Sequence, residues 1–324
     1  MGDSLPPLTI APNWTSAAGA LESILARLGA PLPRHAVMGL SGHAWHLCLG
    51  THEGVTALPS GPADIDPEWQ RAAYARTGFE WTRFGAPLDG SADATLKQRA
   101  VEWTKSHLGS GRPLIGWDFH LHEHAVVYGY DDVRDGFLLS DILTPDLGSF
   151  VALADWPSSV GRIELFAPVA PIESDPLETI AASLQAALEA FAGHDGPDGQ
   201  PRGTAALTSW ANTFEGDGEV DRAGNAYTLA VLAAARTDGA AFLADLADSI
   251  TPAEEALRAA SRALIEETRA LSPLITLFPF PSGGHGNVAN PGLRRAAAMA
   301  LRRAARHEES AASHIAQALA AIES

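Results

Sequence analysis

Cysteine is almost missing from these 324 residues: Cys48 stands alone, so neither an internal disulfide framework nor a thiolate-rich zinc site can form. A reducing cytoplasm is the expected setting. Basic charge is also scarce. The 22 Lys and Arg against 39 Asp and Glu give a formal net charge of −17, which argues against nucleic acid or an anionic membrane as a partner. Long apolar runs are absent too, because Arg, Asp or Glu interrupts even the alanine-rich stretches, so no membrane span is expected. The opening Met1-Gly2-Asp3-Ser4-Leu5-Pro6-Pro7 has no basic segment and no apolar core, so no signal peptide is expected. Apolar residues make up 46% of the chain, enough to build a core in each of two domains.

The two halves follow different patterns. In the first, Ala17 to Leu28 reads as a helix with Leu21, Ile24, Leu25 and Leu28 on one face and Gly29 as its stop. A second helical stretch runs from Thr95 to His107. Strand-like runs follow at 114–119, 124–130, 136–140 and 162–167, with Asp131-Asp132 and Asp135-Gly136 supplying hairpin chemistry. After Pro168-Val169-Ala170-Pro171 the chain turns alanine-rich and helical. Asp175-Pro176, Thr251-Pro252 and Asn290-Pro291 each read as a capping residue followed by first-turn proline. Two more helices are expected near 205–213 and 226–247. The expectation is an α+β domain over 1–170 and an all-α helical domain over 171–324.

One constellation carries chemistry. Ser16-Ala17-Ala18-Gly19-Ala20-Leu21 opens the first helix, at the positive end of its dipole. Gly111-Arg112-Pro113-Leu114-Ile115 leads into a strand. His124-Ala125-Val126-Val127-Tyr128-Gly129-Tyr130-Asp131 and then Leu138-Leu139-Ser140-Asp141 follow. A histidine leading a strand can face a helix-start residue, and an acid on the neighbouring strand can orient the imidazole, giving nucleophile, base and orienter.

These motifs, spread over about residues 13–145, resemble the papain-like cysteine enzymes. They are most similar to the bacteriocin-processing peptidases and to the N-terminal domain of butirosin-biosynthesis acyltransferases of the H type. Gly39-Leu40-Ser41-Gly42 resembles the glycine-rich turn after the first helix of the latter. The resemblance implies a papain-like fold, His124 as the catalytic histidine and Asp141 as its partner. It also implies a cysteine where this chain has Ser16. A thiol at that place can be held as thiolate, but an alkoxide cannot. Ser16 would need His124 to take its proton during attack, with Asn13 donating to an oxyanion. The expected function is therefore a pseudoenzyme that holds a small molecule or peptide in the inherited cleft. The alternative is a serine-variant acyltransferase or amide hydrolase using Ser16, His124 and Asp141.

Other readings stand beside this. Ser16 next to Thr15 also fits a plain helix cap. On a strand, His120, His122 and His124 would share one face and could chelate a divalent ion, with His43, His46 or His52 adding ligands, which would make a metal-dependent hydrolase. Cys48, between Leu47 and Leu49, reads as a buried small hydrophobe. Ser282-Gly283-Gly284-His285-Gly286 lacks the lysine and preceding strand of a phosphate loop, so it reads as an interhelical connection and no cofactor is expected. Arg294, Arg295, Arg302, Arg303 and Arg306 read as a solvated helix face paired with Glu308 and Glu309. The tryptophans are expected mainly in the core, with Trp14 as a possible pocket wall.

Overall fold

The computed structural model describes residues 4–52, 55–56, 65–88, 93–158, 161–193 and 200–324. Its elements in chain order begin with α1 (Ser16–Arg27), α2 (Arg34–Leu40), β1 (Thr51–His52), β2 (Val55–Thr56), α3 (Pro67–Tyr74), β3 (Phe79–Pro87) and α4 (Asp93–Gly109). Next come β4 (Leu114–Trp117), β5 (His124–Asp131), β6 (Gly136–Ser140), α5 (Thr144–Leu147), β7 (Phe150–Ala152) and β8 (Arg162–Pro171). The chain finishes with α6 (Pro176–Ala192), α7 (Gly203–Glu215), α8 (Arg222–Ser249), α9 (Glu254–Leu277) and α10 (Pro291–Ile322). Among the described residues no helix is long and apolar enough to cross a membrane.

The chain forms two compact units, one of residues 1–37 with 66–173 and one of residues 38–65 with 174–324. The first is built on a six-stranded antiparallel sheet in the order β3-β8-β4-β5-β6-β7. β5 is central and buried on both faces, as its unbroken run Ala125-Val126-Val127-Tyr128 suits. Ala125 and Val127, and beyond a register shift Tyr130, pack with Ala100, Val101 and Leu108 of α4. His124 and Val126 alternate to the opposite face, and α1 packs against β4 and β5. Its Leu21, Ile24 and Leu25 are wholly buried. Gly29 ends that helix in the left-handed conformation, at φ 80°.

The second unit is a helical bundle in which α10 packs against α6, α7 and α9, and α8 against α9. Asp175 and Asn290 cap α6 and α10 through their side-chain oxygens. Thr251 does not cap α9. Thr251-Pro252 instead opens a 3-10 turn, and α9 starts at Glu254.

Residues 38–65, expected in the first domain, belong to the helical unit. Leu47 and Leu49 lie in one buried cluster with Trp210, Phe214, Leu271 and Leu301. Trp45 meets Phe191 edge-on at 6.0 Å and Phe242 at 6.2 Å. Leu49 N–H donates to Pro201 O at 3.0 Å and Gly203 N–H to Leu47 O at 2.8 Å. Within this segment Cys48 is buried, and its thiol donates to Gln200 Oε1 at 3.1 Å.

Candidate functional site

The approach to α1 is fixed before Ser16 is reached. Asn13 Oδ1 accepts from Thr15 N–H at 2.9 Å, and Thr15 O receives the amides of Ala18 and Gly19 at 3.0 and 3.1 Å. Ala11 N–H donates to Ser23 Oγ at 2.8 Å, which lays this segment tightly along the helix. Gly19 permits that approach, since a Cβ there would lie 2.3 Å from Ala11 O. Ile10 N–H donates to Ser140 Oγ at 3.0 Å, tying the same segment to the end of β6.

Ser16 is thereby presented, buried, at the first turn of α1. Its hydroxyl caps nothing in the helix; Thr15 holds the N-cap position and also makes no side-chain cap bond. Instead Ser16 Oγ donates to Glu123 Oε2 at 2.5 Å and accepts from His124 N–H at 3.0 Å. A carboxylate beside the positive end of a helix is electrostatically well placed.

Residues 118–123 form a closed loop between β4 and β5, not a continuation of the strand. Asp118 sits at φ 65°, its amide donates to Glu123 O at 3.0 Å, and Glu123 N–H donates to Leu121 O at 2.7 Å. Buried Asp118 is anchored by Ser158, whose hydroxyl donates to Asp118 Oδ1 and whose amide donates to Asp118 O. The left-handed residue breaks the two-residue alternation, and the three histidines diverge. His120 Nδ1 lies 2.5 Å from Asp141 Oδ2. His122 is 65% exposed and stacks on Trp117 at 6.4 Å. His124, cross-strand from Trp117, meets that ring edge-on at 4.8 Å.

The metal reading therefore loses its shared face. Among the described residues no group of three His, Cys, Asp or Glu is placed to hold a metal ion. His43 and His46 belong to the helical unit, and the side chain of His52 lies outside those described.

Asp141 does not orient His124 in this structure. Its Oδ2 faces His120, while Oδ1 accepts from Leu143 N–H at 2.8 Å and Thr144 Oγ1 at 3.2 Å. Ser16 and His124 do meet, but through the backbone amide of His124. Asn13 spends its oxygen on the turn before α1, and its Nδ2 is buried with no hydrogen-bond partner. Glu123 and His120 were not singled out for these roles from sequence. The signal for Glu123 was its place beside His124, as an acid available to a helix N-terminus.

Three exposed apolar side chains flank this polar centre in the chain: Trp14 at 44%, Leu121 at 42% and Ile142 at 46% exposure. Each is within two residues of a group bonded in it. The expected basic stripe on α10 resolves into specific partners: Arg302 pairs with Glu215, and Arg294 donates to the carbonyls of Thr213, Phe214, Gly216, Gly218 and Val288. Glu308 turns inward, to Arg236. No family model matches the chain, and no curated protein matches it significantly.

Proposed function

We propose that the first unit is a papain-like fold in which Ser16 replaces the nucleophilic cysteine. It acts in the cytoplasm as a pseudoenzyme, holding a small molecule or peptide without turning it over. The observation that carries this reading is the bonding of the Ser16 hydroxyl. Its proton goes to the Glu123 carboxylate, and its oxygen accepts from the His124 amide. A glutamate is ordinarily about two pKa units less basic than an imidazole, so it is a poor match for taking a serine proton during attack near neutral pH. The acid expected to orient His124 is committed to His120. Binding is supported by the buried, unpartnered Nδ2 of Asn13, three residues before Ser16, a donor that a ligand carbonyl would satisfy. The exposed Trp14, Leu121 and Ile142, each within two residues of a bonded group of this centre in the chain, offer apolar surface to such a ligand.

The 2.5 Å contact also favours a second reading, a serine-variant acyltransferase or hydrolase with Glu123 as base. A fluorophosphonate probe separates the two. The pseudoenzyme reading expects no adduct at Ser16 by intact mass and peptide mapping. An adduct at Ser16 that disappears in Glu123→Gln would replace it with the serine-variant reading. Binding itself is tested by a small-molecule and peptide screen read by NMR. Shifts should gather on residues 13–16, 120–124 and 141–144, and shifts confined elsewhere would reject this binding site.

A further inference from the structure

Three ionisable side chains of the helical unit are completely shielded from solvent: Arg236 on α8, Glu267 on α9 and Glu308 on α10. Every nitrogen of the Arg236 guanidinium donates a hydrogen bond. Its Nη1 donates to Ala44 O at 2.6 Å, its Nη2 donates to Glu308 Oε2, and its Nε is divided between Glu308 Oε2 at 3.0 Å and Glu267 Oε1 at 3.2 Å. Its guanidinium also lies over the Phe191 ring at 5.1 Å. Glu308 has both oxygens satisfied, the second by Thr204 Oγ1 at 2.9 Å. Glu267 is left with one long, shared contact, and its Oε2 is buried with no donor.

One cation thus faces two buried carboxyls. The neighbouring basic residues on α9 and α10, Arg262, Arg303 and Arg306, are exposed. His43, next to Ala44, is held neutral by burial, which pushes its pKa down to about 4. A second buried carboxylate without a cation is far less favourable than the same group carrying a proton.

We propose that Glu267 is held as the neutral acid, sharing its proton with Glu308, and that this proton is a pH-sensitive latch on the core joining α8, α9 and α10. Burial pushes Glu267 well above the usual carboxylate range, and the adjacent Glu308 carboxylate and its hydrogen bond push the same way. Arg236 opposes them without prevailing. In the unfolded chain Glu267 releases its proton near the ordinary 4.5. Above that value the native unit binds one proton more than the unfolded one. The contribution is complete below the ordinary value. It shrinks as pH rises towards the native one, and the unfolding constant grows tenfold per pH unit in between.

The test is urea unfolding of the full chain, followed by helical circular dichroism from about pH 6 to about pH 9, in the wild type and Glu267→Gln. The amide keeps a donor where the proton sits. The unfolding constant of the wild type relative to Glu267→Gln should rise with pH, by up to tenfold per pH unit until the native value is passed. A ratio that does not change with pH overturns the proposal. If Glu267→Gln does not fold, Glu308→Gln serves, since one remaining carboxylate facing Arg236 needs no proton. The tenfold dependence should vanish there as well, and its persistence would overturn the latch.

Discussion

Gly39 lies in α2, and a Cβ there would sit 2.3, 2.4 and 2.7 Å from three atoms of the Phe242 ring. The substitution Gly39→Ala therefore sets two effects against each other. Alanine in a helix is favoured over glycine by about 1 kcal/mol. Overpacking a filled core costs about 1–3 kcal/mol, and these distances belong at the upper end of that range. Phe242 is buried and lies 6.2 Å from Trp45, itself buried, so the ring has little room to swing. The clash should prevail, with a net loss of about 2 kcal/mol. Replacing the ring as well, in Gly39→Ala with Phe242→Leu, should remove the clash and leave the helical gain, giving a strong coupling in a double-mutant cycle. Urea denaturation followed by helical circular dichroism measures all four proteins. A Gly39→Ala protein about 1 kcal/mol more stable than the wild type would refute the placement of residues 38–65 in the helical unit.

Two further outcomes are expected in the same unit. Trp210 Nε1 donates to Asn225 Oδ1 at 3.0 Å with both side chains buried, so Trp210→Phe strands that oxygen and should cost about 1–3 kcal/mol in chemical denaturation; adding Asn225→Leu should recover part of the loss. Because burial lowers the native pKa of His43 to about 4 against 6.5 for the free side chain, the unfolded state takes up the proton first on acidification. His43 contributes fully above 6.5 and loses roughly 3 kcal/mol as pH falls towards 4, a dependence that should be absent in His43→Gln if the variant folds.

Local rules carried the reading furthest where one residue decides one feature. Asp175 and Asn290 announce their helices because a short oxygen-bearing side chain before proline can take the first free amides, although Thr251 before Pro252 does not. The turn between β5 and β6 is legible from Asp131 to Gly136 for the same reason. Residues 118–124 defeat that approach: Asp-Phe-His-Leu-His-Glu-His alternates like a strand, and only the left-handed backbone at Asp118 shows that it is a loop. Once the loop closes, His120 rather than His124 reaches Asp141, a choice between two histidines four residues apart that no spacing rule makes. Chain order alone places segment 38–65 with the first domain, whereas Trp45, Leu47 and Leu49 join partners more than a hundred residues later. Strand β3, half-buried at the end of the sheet, has no clear alternation and so carries no strand signal in sequence.

The claim that Ser16 sits in an unactivated setting is tested most directly by Ser16→Cys. A thiol in that position would face the Glu123 carboxylate that now accepts the hydroxyl proton, and a full negative charge at that range outweighs the partial positive charge of the α1 N-terminus. The rate of iodoacetamide alkylation against pH reports the thiol's pKa, with Cys48→Ala removing the second thiol. The midpoint should lie at or above the ordinary value of about 8.5, falling when Glu123→Gln is added. Rapid alkylation well below that pH with Glu123 intact would show an activated site and contradict that claim.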